Sequence, residues 1–226
     1  MSTNSGLLKT SIARKVAMSL SALFLLIFLL QHFAINFTSV FSEETFNDLS
    51  HFMGTNPLIQ FVMQPVLAFG VAFHFIMGFI LEAKNRKSRP TAYASYNGGA
   101  NSSWMSRNMI YSGLVILLFL GLHFYDFWFP EIAHKYIQSH PEDPTRYYGE
   151  LVEKFHDPIR VGLYCLAFVF LALHLLHGFQ SAFQSLGARH SKYTPAIQKI
   201  GTLYSYLIPA GFIFIAIFHY VNSLNH

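Results

Sequence analysis

The chain has 226 residues, of which 53% are hydrophobic and only 12% are charged, with a formal net charge of +4. Because an average soluble domain carries about 25% charged residues, this composition excludes an ordinary soluble enzyme and indicates an integral membrane protein. The single cysteine, Cys165, excludes a disulfide framework and a cysteine-rich metal cluster within this chain.

Five apolar stretches predict an all-α fold, an integral membrane bundle of five transmembrane helices in a single domain. Each is about 20 residues or longer, the length that a helix rising 1.5 Å per residue needs to cross the hydrocarbon core. In chain order the predicted helices cover residues 12–41, 57–81, 105–129, 158–186 and 197–221. We expect Pro65 to bend the second helix and Pro130 to close the third, whereas Pro209 lies inside the fifth.

The segments between the apolar stretches predict the orientation of the bundle. Eleven lysines and arginines lie in the N-terminal segment and in the second and fourth connections, where Glu82 is the only acidic residue. Because basic loops stay on the cytoplasmic side, the N-terminus is predicted to be cytoplasmic and the C-terminus outside. This basic face either reflects topology alone or also docks an acidic cytoplasmic partner. Residues 86–101 predict a loop, and RYYGELVEKF from Arg146 predicts a short surface helix.

Histidines lie inside four of the five apolar stretches. Ionisable side chains within the membrane are costly and mark functional sites. From the helical rise, His32 and His123 lie roughly 28 and 24 Å from the cytoplasmic end, whereas His74, His174 and His177 lie roughly 11 to 18 Å from it. The four helices therefore supply two pairs of histidines at two depths. His219 in the fifth stretch has no predicted partner.

Two neutral imidazoles from different helices are the axial ligands that a six-coordinate haem requires. There is no C-x-x-C-H motif, so any haem is predicted to be the non-covalent b type. Gly78 and Gly178 each follow a histidine by four residues on the same helix face, which leaves room for the macrocycle. This His-x3-Gly pattern is shared by two helices, but there is no clear internal repeat. The alternative is a haem-free transporter or structural protein whose histidines relay protons.

Several sequence pieces, in their order and spacing, resemble one known family over nearly the whole chain. They are LLQHFAINF around His32, ETFNDLSHFM around His51, AFHFIMGF around His74, the loop AKN…SY ahead of SRN, GLHFYDF around His123 and HLLHGFQSAFQSLG around His174. The family is the cytochrome b membrane-anchor subunit of succinate dehydrogenase and fumarate reductase, in its five-helix dihaem branch.

The resemblance implies two haem b groups and their ligands. His74 and His174 would bind the proximal haem iron near the cytoplasm, and His32 and His123 the distal one. The family places the fourth ligand four residues before a glycine, which selects His174 and leaves His177 as the alternative. Arg14 and Arg107 are candidates for pairing with haem propionates.

The resemblance also implies a function as an electron-transfer subunit of a succinate:quinone oxidoreductase, with no catalytic residues for succinate. A flavoprotein subunit and an iron–sulfur subunit would dock on the cytoplasmic face of a bacterial cytoplasmic membrane, and electrons would reach menaquinone or another quinone. Candidate quinone contacts are Asp126, His156, Asp157 and Arg160. The alternatives are a fumarate reductase anchor, or the dihaem anchor of another dehydrogenase such as a formate dehydrogenase or hydrogenase.

Overall fold

A computed structural model describes residues 10–87, 109–138, 142–188 and 190–225, and these residues form helices without a β-strand. The helices are α1 Ser11–Thr38, α2 Glu43–Thr55, α3 Ile59–Lys87, α4 Met109–Ile137, α5 Arg146–Lys154, α6 Pro158–Ser185 and α7 Thr194–Ser223. Among the described residues, five helices (α1, α3, α4, α6 and α7) are long and apolar enough to span a membrane. The predicted five-helix, all-α architecture is therefore confirmed.

Helix α6 is at the centre of the bundle. It packs against α7, α4 and α1, while α3 completes the arrangement by contacting α1 and α4. The buried core between α6 and α7 combines aliphatic and aromatic side chains, and Phe168 of α6 stacks on Phe212 of α7 with ring centroids 5.2 Å apart. Large apolar side chains such as Ile27 and Phe69 point outward, as expected for helices whose outer surface contacts lipid rather than water.

The third transmembrane helix does not end at Pro130, so that prediction was wrong. Helix α4 continues to Ile137, and a π-helical turn at Phe124–Trp128 immediately precedes the Phe129–Pro130 pair. A second π-helical turn, Ile59–Met63, likewise lies immediately before a proline pair, Gln64–Pro65. Because a π turn shifts the hydrogen-bond register by one residue, it lets the helix pass a residue that has no backbone N–H.

Helix α3 ends at Lys87, so residues 86 and 87 are helical where a loop was predicted, and the remainder of that loop is outside the described residues. Lys84, Arg86 and Lys87 lie in its last turn, where cations complement the helix dipole. We call this end of the bundle the basic end.

Two short helices cover the opposite end, which we call the capped end. Helix α5 matches the predicted surface helix, but it packs against α2 and buries Leu151. Helix α2 was not predicted; its N-terminus is capped by Ser42, whose Oγ accepts the backbone N–H of Thr45 at 3.1 Å. The Oδ1 atom of Asn47 in α2 accepts the backbone N–H of Tyr148 in α5 at 2.8 Å.

Candidate histidine pairs and a buried carboxylate

The four helices bring their inner histidines together as two pairs. The rings of His74 on α3 and His174 on α6 have centroids 6.3 Å apart and planes at 68°. The rings of His32 on α1 and His123 on α4 have centroids 5.7 Å apart and planes at 83°. His177 makes no ring contact among the described residues. The depth estimate gave these two groupings with His177 as an alternative to His174, and the structure brings His174 to His74. Their role as iron ligands stays a prediction.

The separation within each pair matches what one metal ion needs from two axial imidazoles. A metal–nitrogen bond is about 2 Å long, so two imidazoles on opposite faces of one ion have ring centres roughly 6 Å apart. Within the described part of the chain, no three side chains of the His, Cys, Asp or Glu type converge as a site for a bare metal ion. A haem supplies four nitrogens of its own and needs only two from the protein, so the donor set fits a haem.

In the pair nearer the basic end, each histidine Nδ1 lies against a serine hydroxyl. The Oγ of Ser21 on α1 is 3.2 Å from His74 Nδ1, and the Oγ of Ser112 on α4 is 3.2 Å from His174 Nδ1. These contacts leave Nε2 as the remaining nitrogen of each ring. Sequence reasoning missed both serines, because nothing in the sequence shows which helix faces which.

The pair nearer the capped end has different surroundings. His32 stacks on Phe28, and His123 stacks on Phe119. The Nδ2 atom of Asn36 lies 3.4 Å from His32 Nδ1, while Nδ1 of His123 is buried without a hydrogen-bond partner. The two pairs thus share their ring spacing, but they differ in what contacts the Nδ1 atoms of their histidines.

The glycines of the His-x3-Gly pattern lie opposite methionine side chains. A Cβ added at Gly78 would come within 3.7 Å of Met18 Cε, and one added at Gly178 would come within 3.7 Å of Met109 Cε. Both distances are ordinary van der Waals contacts. Close packing against protein atoms therefore does not require a glycine at either position, and the predicted need for space beside the histidine remains open.

A buried carboxylate lies one turn after His123. Asp126 is 2% exposed and belongs to the π-helical turn of α4. The hydroxyl of Tyr164 donates to its Oδ2 at 2.8 Å, and the Nε of Arg160 is 3.4 Å from the same oxygen. Its Oδ1 is buried without a hydrogen-bond partner in the described structure. The structure thus joins two of the predicted quinone candidates and adds Tyr164, which sequence reasoning missed.

The other two quinone candidates do not join this cluster. Asp157 is exposed and caps helix α6, because its Oδ1 accepts the backbone N–H of Ile159 at 2.9 Å. His156 is exposed beside it. Of the two propionate candidates, Arg107 lies outside the described residues.

His219, for which the sequence offered no partner, has one in the structure. It is 1% exposed, and its Nε2 lies 2.9 Å from the hydroxyl of Ser39, the C-cap residue of α1. Its ring also meets Tyr148 edge to face. His219 is therefore a hydrogen-bonded histidine of the core, separate from the two pairs.

The capped end carries an ion cluster in which Arg146 bridges Glu131 and Glu150, and Lys135 contacts Glu131. Burial opposes the charge of Arg146, but the hydrogen bonds that its guanidinium donates to Glu131 and Glu150 raise its pKa. Burial, and then the negative charge of Glu131, raises the pKa of the neighbouring Tyr147 to about 12. These groups stabilise the cap rather than line either histidine pair.

Comparisons of the chain with protein-family models, with curated proteins and with solved structures found no match. The functional argument therefore rests on the histidine geometry and on the sequence resemblance.

Proposed function

We propose that this protein is the membrane-anchor cytochrome b subunit of a succinate:quinone oxidoreductase. The observation that carries the proposal is the convergence of His74 with His174 and of His32 with His123, from four helices, at a spacing suited to two axial ligands. Two such pairs account for four imidazoles in one apolar bundle, each of which would otherwise keep at least one ring nitrogen without a partner at high cost.

The two pairs lie at different levels of the membrane. Ser21, which contacts His74, and His32 are eleven residues apart on α1, so the two levels are separated by roughly 16 Å along that helix. This covers about half of a hydrocarbon core that is roughly 30 Å thick. A haem held at each level would supply one-electron transfer chemistry.

In this proposal each side chain of a pair has one task. His74 and His174 would hold the haem nearer the basic end, and His32 and His123 would hold the one nearer the capped end. The stacked rings of Phe28 and Phe119 orient the second pair. His177 is one turn from His174 on α6 and binds no iron.

We assign the quinone end of the path to the cluster around Asp126. Reduction of a quinone consumes two electrons and two protons, so a quinone site needs groups that bind its oxygens and move protons. Asp126 offers a buried Oδ1 without a hydrogen-bond partner, and Tyr164 and Arg160 hold the other oxygen. The cluster begins three residues beyond His123, next to the capped-end pair. Menaquinone is the quinone that the resemblance favours.

The orientation and the partners follow from the charges. The basic end would face the cytoplasm of a bacterium, with the N-terminus inside and the C-terminus outside. The flavoprotein and iron–sulfur subunits would dock there, next to Lys84, Arg86 and Lys87, and electrons would enter at His74 and His174. Succinate chemistry would belong to the flavoprotein.

The decisive experiment is a pyridine haemochrome assay on the purified chain from haem-replete cells, quantified against protein. We expect two b haems per chain, one per chain in His74→Ala and in His174→Ala, and two in His177→Ala as the matched control. A folded wild-type chain without haem would refute the proposal and favour a histidine proton path. Loss of a haem from His177→Ala with retention in His174→Ala would refute the ligand assignment.

Co-purification tests the partners. A flavoprotein carrying covalent flavin and an iron–sulfur protein, recovered with the tagged chain, would support the succinate or fumarate enzymes. Recovery of a molybdenum- or nickel-containing partner would instead indicate a different dehydrogenase.

A further inference from the structure

The helices that carry the histidines show an internal repetition that is visible only once the contacts are known. Four residue types on α1 recur on α4 at a constant offset of 91 positions, and two on α3 recur on α6 at an offset of 100. The matched residues are Met18 and Met109, Ser21 and Ser112, Phe28 and Phe119, His32 and His123, His74 and His174, and Gly78 and Gly178. The same contacts recur as well, because each phenylalanine stacks on the histidine that follows it and each serine meets the histidine of the next long helix. His177 falls at the position of Met77 in this alignment.

The serine contacts determine which nitrogen of each histidine carries the proton. A serine hydroxyl has a single proton to donate. The Oγ of Ser21 lies 2.8 Å from the Met18 carbonyl, and the Oγ of Ser112 lies 2.8 Å from the Met109 carbonyl, both closer than the histidine nitrogens. Since a carbonyl oxygen only accepts, each serine gives its proton to its own helix.

The serine oxygen must then accept a hydrogen bond from the histidine. The proton of the neutral imidazole therefore sits on Nδ1, and Nε2 presents its lone pair. A lone pair at Nε2 is what coordination to iron needs.

We propose that Ser21 and Ser112 are positioning residues of the basic-end haem: they fix His74 and His174 in the Nδ1–H tautomer, so that Nε2 would be the nitrogen available to iron. This inference rests on the proposed function. Outer hydrogen bonds of this kind orient a metal-bound histidine and raise its basicity, and their loss typically costs about 10–100-fold in metal affinity or activity.

The capped-end pair lacks this arrangement, so the effect is confined to one haem. There the amide of Asn36 faces His32 Nδ1, and His123 Nδ1 has no partner among the described residues. A more basic imidazole favours ferric iron. Removing a serine hydroxyl should therefore raise the midpoint potential of the basic-end haem alone, and a tenfold change in the relative affinity for the two oxidation states corresponds to about 59 mV.

The test compares Ser21→Ala and Ser112→Ala with three serine controls in the purified full chain. Ser19 and Ser205 are buried and donate to their own helices at Lys15 and Gly201, with no histidine contact. Ser39 makes the same kind of serine–histidine bond, but to His219, outside the pairs. Haem content is measured by pyridine haemochrome, and the two haems are resolved by an optical redox titration.

We expect one haem to shift upward in potential, or to bind at least tenfold more weakly, in both alanine variants and in none of the controls. Where an alanine variant loses the haem, Ser21→Thr or Ser112→Thr should restore it because the hydroxyl is retained. Unchanged potentials and content in both variants, or equal changes in the Ser39→Ala control, would refute the inference while leaving two haems in the wild type. Absence of haem from the wild type would instead refute the proposed function.

Discussion

Removing the hydrogen bond between Tyr164 and Asp126 tests how much that bond stabilises the buried carboxylate. Tyr164→Phe removes only the hydroxyl that donates to Asp126 Oδ2 at 2.8 Å. The ring remains in place, so its edge-on contacts with Phe119 and Phe155, at 4.9 and 5.3 Å between centroids, are preserved. The loss in stability therefore reports the hydrogen bond.

The expected size follows from the charge and burial of the acceptor. A hydrogen bond to a charged group contributes about 1.5–3 kcal/mol, and removing one partner leaves the other desolvated. Intramembrane hydrogen bonds measured by double-mutant cycles average only about 0.6 kcal/mol. Because Asp126 is almost fully buried and its other oxygen has no partner in the described structure, we expect the upper range to apply here.

The assay is a double-mutant cycle of Tyr164→Phe and Asp126→Asn, with the free energy of unfolding measured by denaturant titration of the purified chain in mixed micelles. We expect a coupling free energy of about 1.5–3 kcal/mol. The matched control is Tyr125→Phe, an exposed tyrosine beside Asp126 on α4, for which a change within about 0.5 kcal/mol is expected. A coupling near or below about 0.6 kcal/mol would refute the claim that Tyr164 stabilises a buried charge.

Three further predictions concern packing, docking and pH. Gly201→Ala should destabilise the chain by about 1–3 kcal/mol because the new Cβ overlaps the ring of Phe179. The control Gly162→Ala, which has open space around the new Cβ, should not destabilise it. Equal unfolding midpoints for the two variants would contradict this packing. The docking prediction is tested by reversing the charges of Lys84, Arg86 and Lys87 together. If the basic end docks the soluble subunits, this change should release them during co-purification. An intact complex would leave those charges a role in topology only. Because burial raises the pKa of Tyr147 from 10.0 to about 12, its contribution to stability is complete below about pH 10 and is lost as the pH rises through 12. An ultraviolet phenolate titration that loses its late step in Tyr147→Phe would verify this, and a wild-type titration without a step above pH 11 or so would contradict it.

The positions of the helices and the grouping of the histidines could be predicted from the sequence because both depend only on position along the chain. A run of apolar residues reports a membrane-spanning helix without any knowledge of its neighbours, and a fixed rise of 1.5 Å per residue converts sequence position into depth. Alternating helix directions then group His32 with His123, and His74 with either His174 or His177; in the structure the partner of His74 is His174.

The errors arose where local geometry depends on hydrogen-bond register or on packing. Pro130 was expected to end a helix, but the π turn at Phe124–Trp128 absorbs it. Helix α2 was missed because its pattern of apolar residues is short, and its stability comes from packing against α5. Neither a shifted hydrogen-bond register nor a partner helix is encoded in the local pattern of residues.

Composition and the helical rise alone therefore determine that this chain is a five-helix bundle with histidines at two depths. Only the tertiary structure decided that Ser21 meets His74, that Ser112 meets His174, and that Tyr164 holds Asp126. Each of these contacts joins two helices, and it depends on how each helix is rotated about its own axis. That rotation is fixed by side-chain packing among all the helices together, so the depth of a residue follows from its position in the chain, whereas its partner does not.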